Sequence, residues 1–166
     1  MPPRLRIYNL HRQSSKPLAP VFLEGLVHRG LLRPLSTIEE WWLPGDEDKP
    51  SPPKGYVVSF ALFHERGFTV PAHKFFRGLL DYYQVELQHL TPNGVQHIAA
   101  LIALCEGFLG ISPHFDLWWY FFVVNLSKKR VGKQELSMPM GCAIIHLRNN
   151  RANDYPLMRL STSNKG

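Results

Sequence analysis

Eight histidines are the first residues to question, because imidazole can bind metals or move protons near neutral pH. They stand at His11, His28, His64, His73, His89, His97, His114 and His146. A zinc site built on a helix needs two histidines one turn apart, as in HExxH, and small zinc folds repeat a similar close pairing. No pair here has either spacing. His64–Glu65 begins such a motif, but Phe68 stands where its second histidine would fall. The histidines are therefore expected at surface or half-buried positions, with no metal and no cofactor.

Carboxylates are the next candidates, since two-metal phosphoryl transfer requires several of them to converge. Glu65, Asp81, Glu106 and Asp116 could be drawn into such a set, yet no motif selects a trio. Helix placement already accounts for Glu106 near a helix end and for Asp116 in a first turn, where the helix dipole favours it. There are two cysteines, Cys105 and Cys142, without a CxxC spacing. They read as reduced thiols in an intracellular compartment, and Cys105 sits on an apolar stripe as a small buried hydrophobe. A GxSxG nucleophile elbow is missing. Gly107-Phe108-Leu109-Gly110 lacks the Lys-Ser/Thr of a phosphate loop. The expectation is a protein that is not an enzyme.

Cations carry the one binding signal. The chain has a net charge of +6, unevenly spread. Residues 1–33 carry +5, 34–50 carry −4, 51–127 carry −1 and 128–166 carry +6. The C-terminal set comprises Lys128, Lys129, Arg130, Lys133, Arg148 and Arg151, followed by Arg159 and Lys165. Mobile cations shed counterions onto phosphate, so this set is a candidate for nonspecific nucleic-acid contact. A solvated basic face is the plainer reading. Base stacking has little support, because Tyr155 is the only aromatic residue after Phe122. The aromatic run Trp118–Phe122 and the pair Trp41–Trp42 could form a partner surface. Core packing is the preferred reading of the run, because its helix has no polar face.

These residues must be positioned by a chain of 166 residues, 45% hydrophobic, the size of one domain. Its longest apolar run, Leu117–Val124, is far short of the roughly 18 residues a spanning helix needs, so no membrane role is expected. Residues 1–18 read as a disordered basic leader. Pro20 suits the start of a helix that Gly30 closes. Ser36–Glu39 has capping-box spacing and predicts a short helix carrying Trp41 and Trp42. Gly45–Lys54 reads as an exposed proline-rich linker. Val57–Glu65 is open to strand or helix, and helix is preferred because Arg66–Gly67 resembles a helix end. Proline starts, glycine stops and apolar stripes predict core helices at about 71–85, 92–109 and 113–125. Cys142–Leu147 is a predicted strand, and Tyr155–Leu160 a candidate second one. The fold class expected is mainly α, about five or six helices with a short β element near the C-terminus.

Several stretches also carry a resemblance: GYVVSF, FHERGF-x-VPAH-x-FFRGLL, YY-x-VEL, TPN, CEGFLGI-x-P and the closing SNKG. They resemble the plant gypsy-type transposon domain of retrotransposon-related proteins. The likeness runs from about Leu23 to Gly166 and is most specific over Phe63–Leu80 and Thr91–Pro113. It implies one domain over 19–166, truncated at its C-terminus, with no catalytic or cofactor residues to assign. The function expected is protein association, self-association or Gag-like scaffolding. Nonspecific nucleic-acid binding is the alternative, and a metal-dependent transposase or nuclease ranks last.

Overall fold

Thr91 starts the helix around which the rest packs. Its Oγ1 accepts a hydrogen bond from Gly94 N at 3.1 Å, and the following Pro92 has no N–H to leave unsatisfied. The computed structural model describes residues 4–8, 20–32, 41–42, 54, 56–131, 135–151 and 154–155. Along them run β1 (Arg4–Tyr8), α1 (Pro20–His28), β2 (Trp41–Trp42), β3 (Tyr56–Phe60), α2 (Ala61–Glu65), α3 (Lys74–Tyr83) and α4 (Pro92–Ala103). They are followed by α5 (Phe115–Phe121), β4 (Phe122–Leu126), β5 (Lys129–Val131), β6 (Glu135–Ser137) and β7 (Ala143–Leu147).

The mainly helical class holds, with five α-helices among the described residues and an antiparallel β4–β7 pair near the C-terminus. Helix α4 buries Val95, Ile98 and Leu101, then widens into a π turn over Leu104–Leu109 that carries Cys105 into the core. Gly110 closes it at φ +64°, a left-handed conformation that glycine adopts without strain. Against α4 lies α3, which buries Phe75, Phe76 and Leu79. From α5 come Trp118 and Phe121, and from β4 Phe122; the Trp118 and Phe122 rings stack at 4.5 Å. Gly67 lets α2 approach α4. Its φ is +94°, and a Cβ there would lie 2.8 Å from the Ala99 Cβ.

Four local expectations need correction. Val57–Glu65 is not one helix: Tyr56–Phe60 is strand and only Ala61–Glu65 is helical. The strand is held by a long-range parallel pairing with β1, Arg4 opposite Tyr56 through Tyr8 opposite Phe60, which no local pattern announces. That pairing also places Arg4–Tyr8 in a sheet, within the stretch read as a disordered leader. Trp41–Trp42 is strand β2 on the other side of β1, not part of a helix. The helix expected to reach about residue 125 stops at Phe121, because Phe122–Leu126 pairs with Ala143–Leu147. The capping-box residues 36–39, most of the 45–54 linker, the remainder of the leader and residues 156–160 lie outside the described residues.

Candidate functional site

Histidines contribute to this fold mainly as caps and core residues. His73 Nδ1 accepts from Phe75 N at 3.1 Å to start α3, and His114 Nδ1 takes the Leu117 N–H at 3.4 Å to start α5. His89 Nδ1 accepts from Glu86 N at 2.9 Å. His73 and His114 fill the cap role usually given to Ser, Thr, Asn or Asp, and His89 the reach-back role of Glu or Gln in a capping box. His64 is fully buried, its Nε2 3.1 Å from Ser59 Oγ, while Nδ1 has no hydrogen-bond partner. Burial lowers its pKa to about 4, a shift that a looser electrostatic contact with the Phe68 backbone partly offsets. His97 packs against Phe122 at 5.1 Å and is likewise lowered to about 4, first by burial and then by His146.

The acids weighed as metal ligands are engaged separately. Glu65 pairs with Arg29 at 3.0 Å, and Glu106 with His73 at 3.0 Å. Asp81 and Asp116 are exposed on α3 and α5. No group of three or more His, Cys, Asp or Glu that could hold a metal exists among the described residues. Cys105 and Cys142 are buried, and burial pushes both thiols up, the opposite of what a nucleophile needs.

The basic set does not form one surface. Lys128 is exposed just beyond β4, Lys129 and Arg130 lie in β5, and Lys133 is outside the described residues. Arg148 follows β7 at the other end of the hairpin, its N–H bonded to Phe121 O. The strand register puts seven residues, about 20 Å, between the Lys128 and Arg148 ends.

What the structure brings together instead is arginine and aromatic rings. On α5, Trp118 is fully buried, while Trp119 is 44% and Tyr120 42% exposed. Arg148 Nε donates to Trp119 O at 2.8 Å and its guanidinium lies 6.0 Å from the Trp119 ring centre. Arg151 sits 4.1 Å over Tyr120. Tyr120 OH donates to Asp154 Oδ2 at 3.2 Å, and Arg151 reaches the same oxygen at 3.4 Å. Tyr82 of α3, 56% exposed, meets Trp119 edge-on at 6.1 Å and Phe115 at 5.1 Å. Beneath, Trp118 Nε1 donates to Tyr83 OH at 3.2 Å. The Tyr83 phenol is raised by its burial, with this hydrogen bond and Arg148 acting the other way. The face is thus an aromatic surface with two guanidiniums against its rings and a carboxylate paired with one of them.

The comparison with protein families bears on the middle of the chain. Residues 57–126 match the family model described as "Putative gypsy type transposon". This region is a gypsy-type transposon-related domain. It spans β3 through β4 and so holds α2 to α5, most of the buried core and the Tyr82–Trp119–Tyr120 face, whereas Ala143, Ile145 and Tyr155 of the core and Arg148 and Arg151 lie beyond it. No curated protein and no solved structure matches the chain. No helix among the described residues is long and apolar enough to cross a membrane.

The sequence offers the Trp118–Phe122 run as a partner surface but ranks core packing above it, because a helix apolar all round gives no direction for its exposed side. One signal could have found it: Asp116 stands three and four residues before Trp119 and Tyr120, and so marks the solvent side of α5.

Proposed function

We propose that this transposon-related domain works by protein association, without catalysis, and that the face built by Tyr82, Trp119, Tyr120, Arg148 and Arg151 is where it binds. The observation that carries the reading is the exposure of Trp119 and Tyr120 beside buried Trp118 and Phe121. Exposed rings held in place by stacked arginines have the composition of an interface hot spot, and they lose little side-chain entropy on binding. Asp116 and Asp154 offset the charges of Arg148 and Arg151 there, so the face lacks the positive excess that a phosphate backbone calls for, which favours a protein over a nucleic acid.

Nucleic-acid binding is the second reading, favoured by exposed Lys128 next to Lys129 and Arg130 at the far end of the hairpin. Contacts of this kind are sequence-independent and strongly salt-dependent.

One capture experiment separates the two. The chain is immobilised and offered cell extract before and after nuclease treatment. Association predicts proteins that survive nuclease and are lost with the Trp119→Ala/Tyr120→Ala variant. Loss on nuclease treatment, or on reversing Lys128, Lys129 and Arg130 to Glu, would support the nucleic-acid reading and overturn the first.

A further inference from the structure

The Tyr82–Trp119–Tyr120 face carries hydrogen-bond donors that the fold does not use, and they narrow what can bind there. Trp119 Nε1 and the Tyr82 hydroxyl make no hydrogen bond among the described residues. Arg148 commits its Nε to Trp119 O at 2.8 Å, which sets the guanidinium beside the indole. Its two Nη groups have no partner there, and no carboxylate lies within ion-pair distance of them among the described residues. The neighbouring cation differs. Arg151 lies over Tyr120 and pairs with Asp154 at 3.4 Å, and the Tyr120 hydroxyl donates to the same carboxylate. Arg151, Tyr120 and Asp154 thus satisfy one another, while Tyr82, Trp119 and Arg148 leave ring surface and donors open.

Each common mode of peptide recognition makes a different demand of its site. Strand addition needs an open backbone edge, whereas this face is built on helices α3 and α5 with the Trp119 carbonyl already used. A docking helix meets its own carbonyls internally, so its backbone would cover Trp119 Nε1 and the Tyr82 hydroxyl without accepting from them. Phosphate capture calls for a cluster of arginines, and Arg151 is already paired. A polyproline II segment meets every condition. It has no internal hydrogen bonds, so its carbonyls are free to accept, and its proline rings lie against aromatic side chains. Proline also lacks an N–H, so such a ligand brings acceptors where the face offers donors. Tyr82 and Trp119 stand at 90° with 6.1 Å between ring centres, a step against which a pyrrolidine ring can seat.

We infer that this face binds a proline-rich segment in the polyproline II conformation, with a carboxylate of that segment on Arg148. The inference rests on the association reading and names the chemistry of its partner. Proline rings pack against Tyr82 and Trp119, and main-chain carbonyls accept from Trp119 Nε1 and the Tyr82 hydroxyl. A Glu or Asp side chain of the segment pairs with the open Nη groups of Arg148, a charge-assisted contact that a neutral segment would lack. Such a segment is already extended when free, so it loses little conformational freedom on binding.

The test is fluorescence anisotropy of a labelled peptide of three Pro-Pro-Glu repeats, titrated with the full chain to roughly 1 mM, the range suited to a small interface. Three residues per turn set its glutamates along one edge. Saturable binding is expected. Trp119→Ala should weaken it by about tenfold or more, and Tyr82→Phe, which removes only a hydroxyl, by about threefold. Should Trp119→Ala lose its circular dichroism, Tyr82→Phe decides instead. The parent should prefer Pro-Pro-Glu repeats to Pro-Pro-Gln repeats by about tenfold, and Arg148→Gln should erase that preference. A merely structural role for Arg148 would weaken both peptides alike and keep the preference, overturning its assignment. Equal binding of Gly-Gly-Glu repeats, which carry the charge without the rings, or undiminished binding by a folded Trp119→Ala would overturn the inference. No binding of any proline peptide, with nuclease-resistant capture through Trp119 and Tyr120 intact, would refute the proline-rich partner alone and leave the association reading standing. Loss of that capture as well would overturn both.

Discussion

Trp118 and Trp119 are neighbours in sequence, yet one is fully buried and the other nearly half exposed. One helical step of about 100° separates them. Trp118 turns into the core, where it stacks on Phe122 and meets Phe75 edge-on at 6.3 Å. Trp119 turns out to meet Tyr82 and Arg148. Burial on one side of α5 is accounted for by packing, whereas the ordered aromatic array on the other side has no such account within the fold. Residue type alone therefore says nothing about role here; what decides is the angle at which α5 lies against α3 and β4.

The largest expected effect breaks the packed side. Trp118→Ala should cost about 3–5 kcal/mol, and Leu101→Ala about 2–5 kcal/mol, from lost burial and the cavity left behind. Trp119→Ala should stay within about 1 kcal/mol of the parent, as exposed positions do. Urea denaturation of the three variants provides the check. Equal losses at the two tryptophans would erase the distinction between the sides of α5.

Acid should likewise act through the packed side. His64 and His97 have folded pKa values of about 4 against 6.5 for a free imidazole. Between these values the unfolded chain binds more protons than the folded one. Stability is therefore full above about pH 6.5 and declines as pH falls towards 4, by about 3 kcal/mol for each histidine. Melting temperatures across that window should fall with pH, and His97→Leu should flatten part of the slope. A flat profile in the parent would mean that these imidazoles are hydrated.

A smaller loss is expected where α2 meets α4. Gly67→Ala places a methyl 2.8 Å from the Ala99 Cβ at a left-handed φ, which should cost about 1–3 kcal/mol. The Gly67→Ala/Ala99→Gly pair should recover the steric part but not the backbone part. Full recovery would assign the whole role of Gly67 to space.

Punctuated elements were the legible ones. Thr91–Pro92 and Gly110 bracket α4 and its π turn, Pro20 and Gly30 bracket α1, and the apolar residues of 142–147 gave β7. Illegible elements lack punctuation. Phe60 passes from strand into α2, and Phe121 from α5 into β4, with no glycine or proline between. Both strands exist through partners distant in sequence, Arg4–Tyr8 and Ala143–Leu147. The basic residues were legible as a composition but not as a place. Pairing of β4 with β7 separates Lys128 from Arg148, and Arg151 spends its charge on Tyr120 and Asp154. Histidine caps escaped because imidazole is uncommon at helix starts.

The central claim is that α5 holds the fold with one side and binds protein with the other. Covalent footprinting of tryptophan, read by peptide mass spectrometry, tests it most directly. In the isolated chain Trp119 should be modified readily and Trp118 spared. In the nuclease-resistant complex Trp119 should become protected, with Trp118 unchanged. Equal modification of both in the isolated chain, or undiminished modification of Trp119 in the complex, would contradict the account.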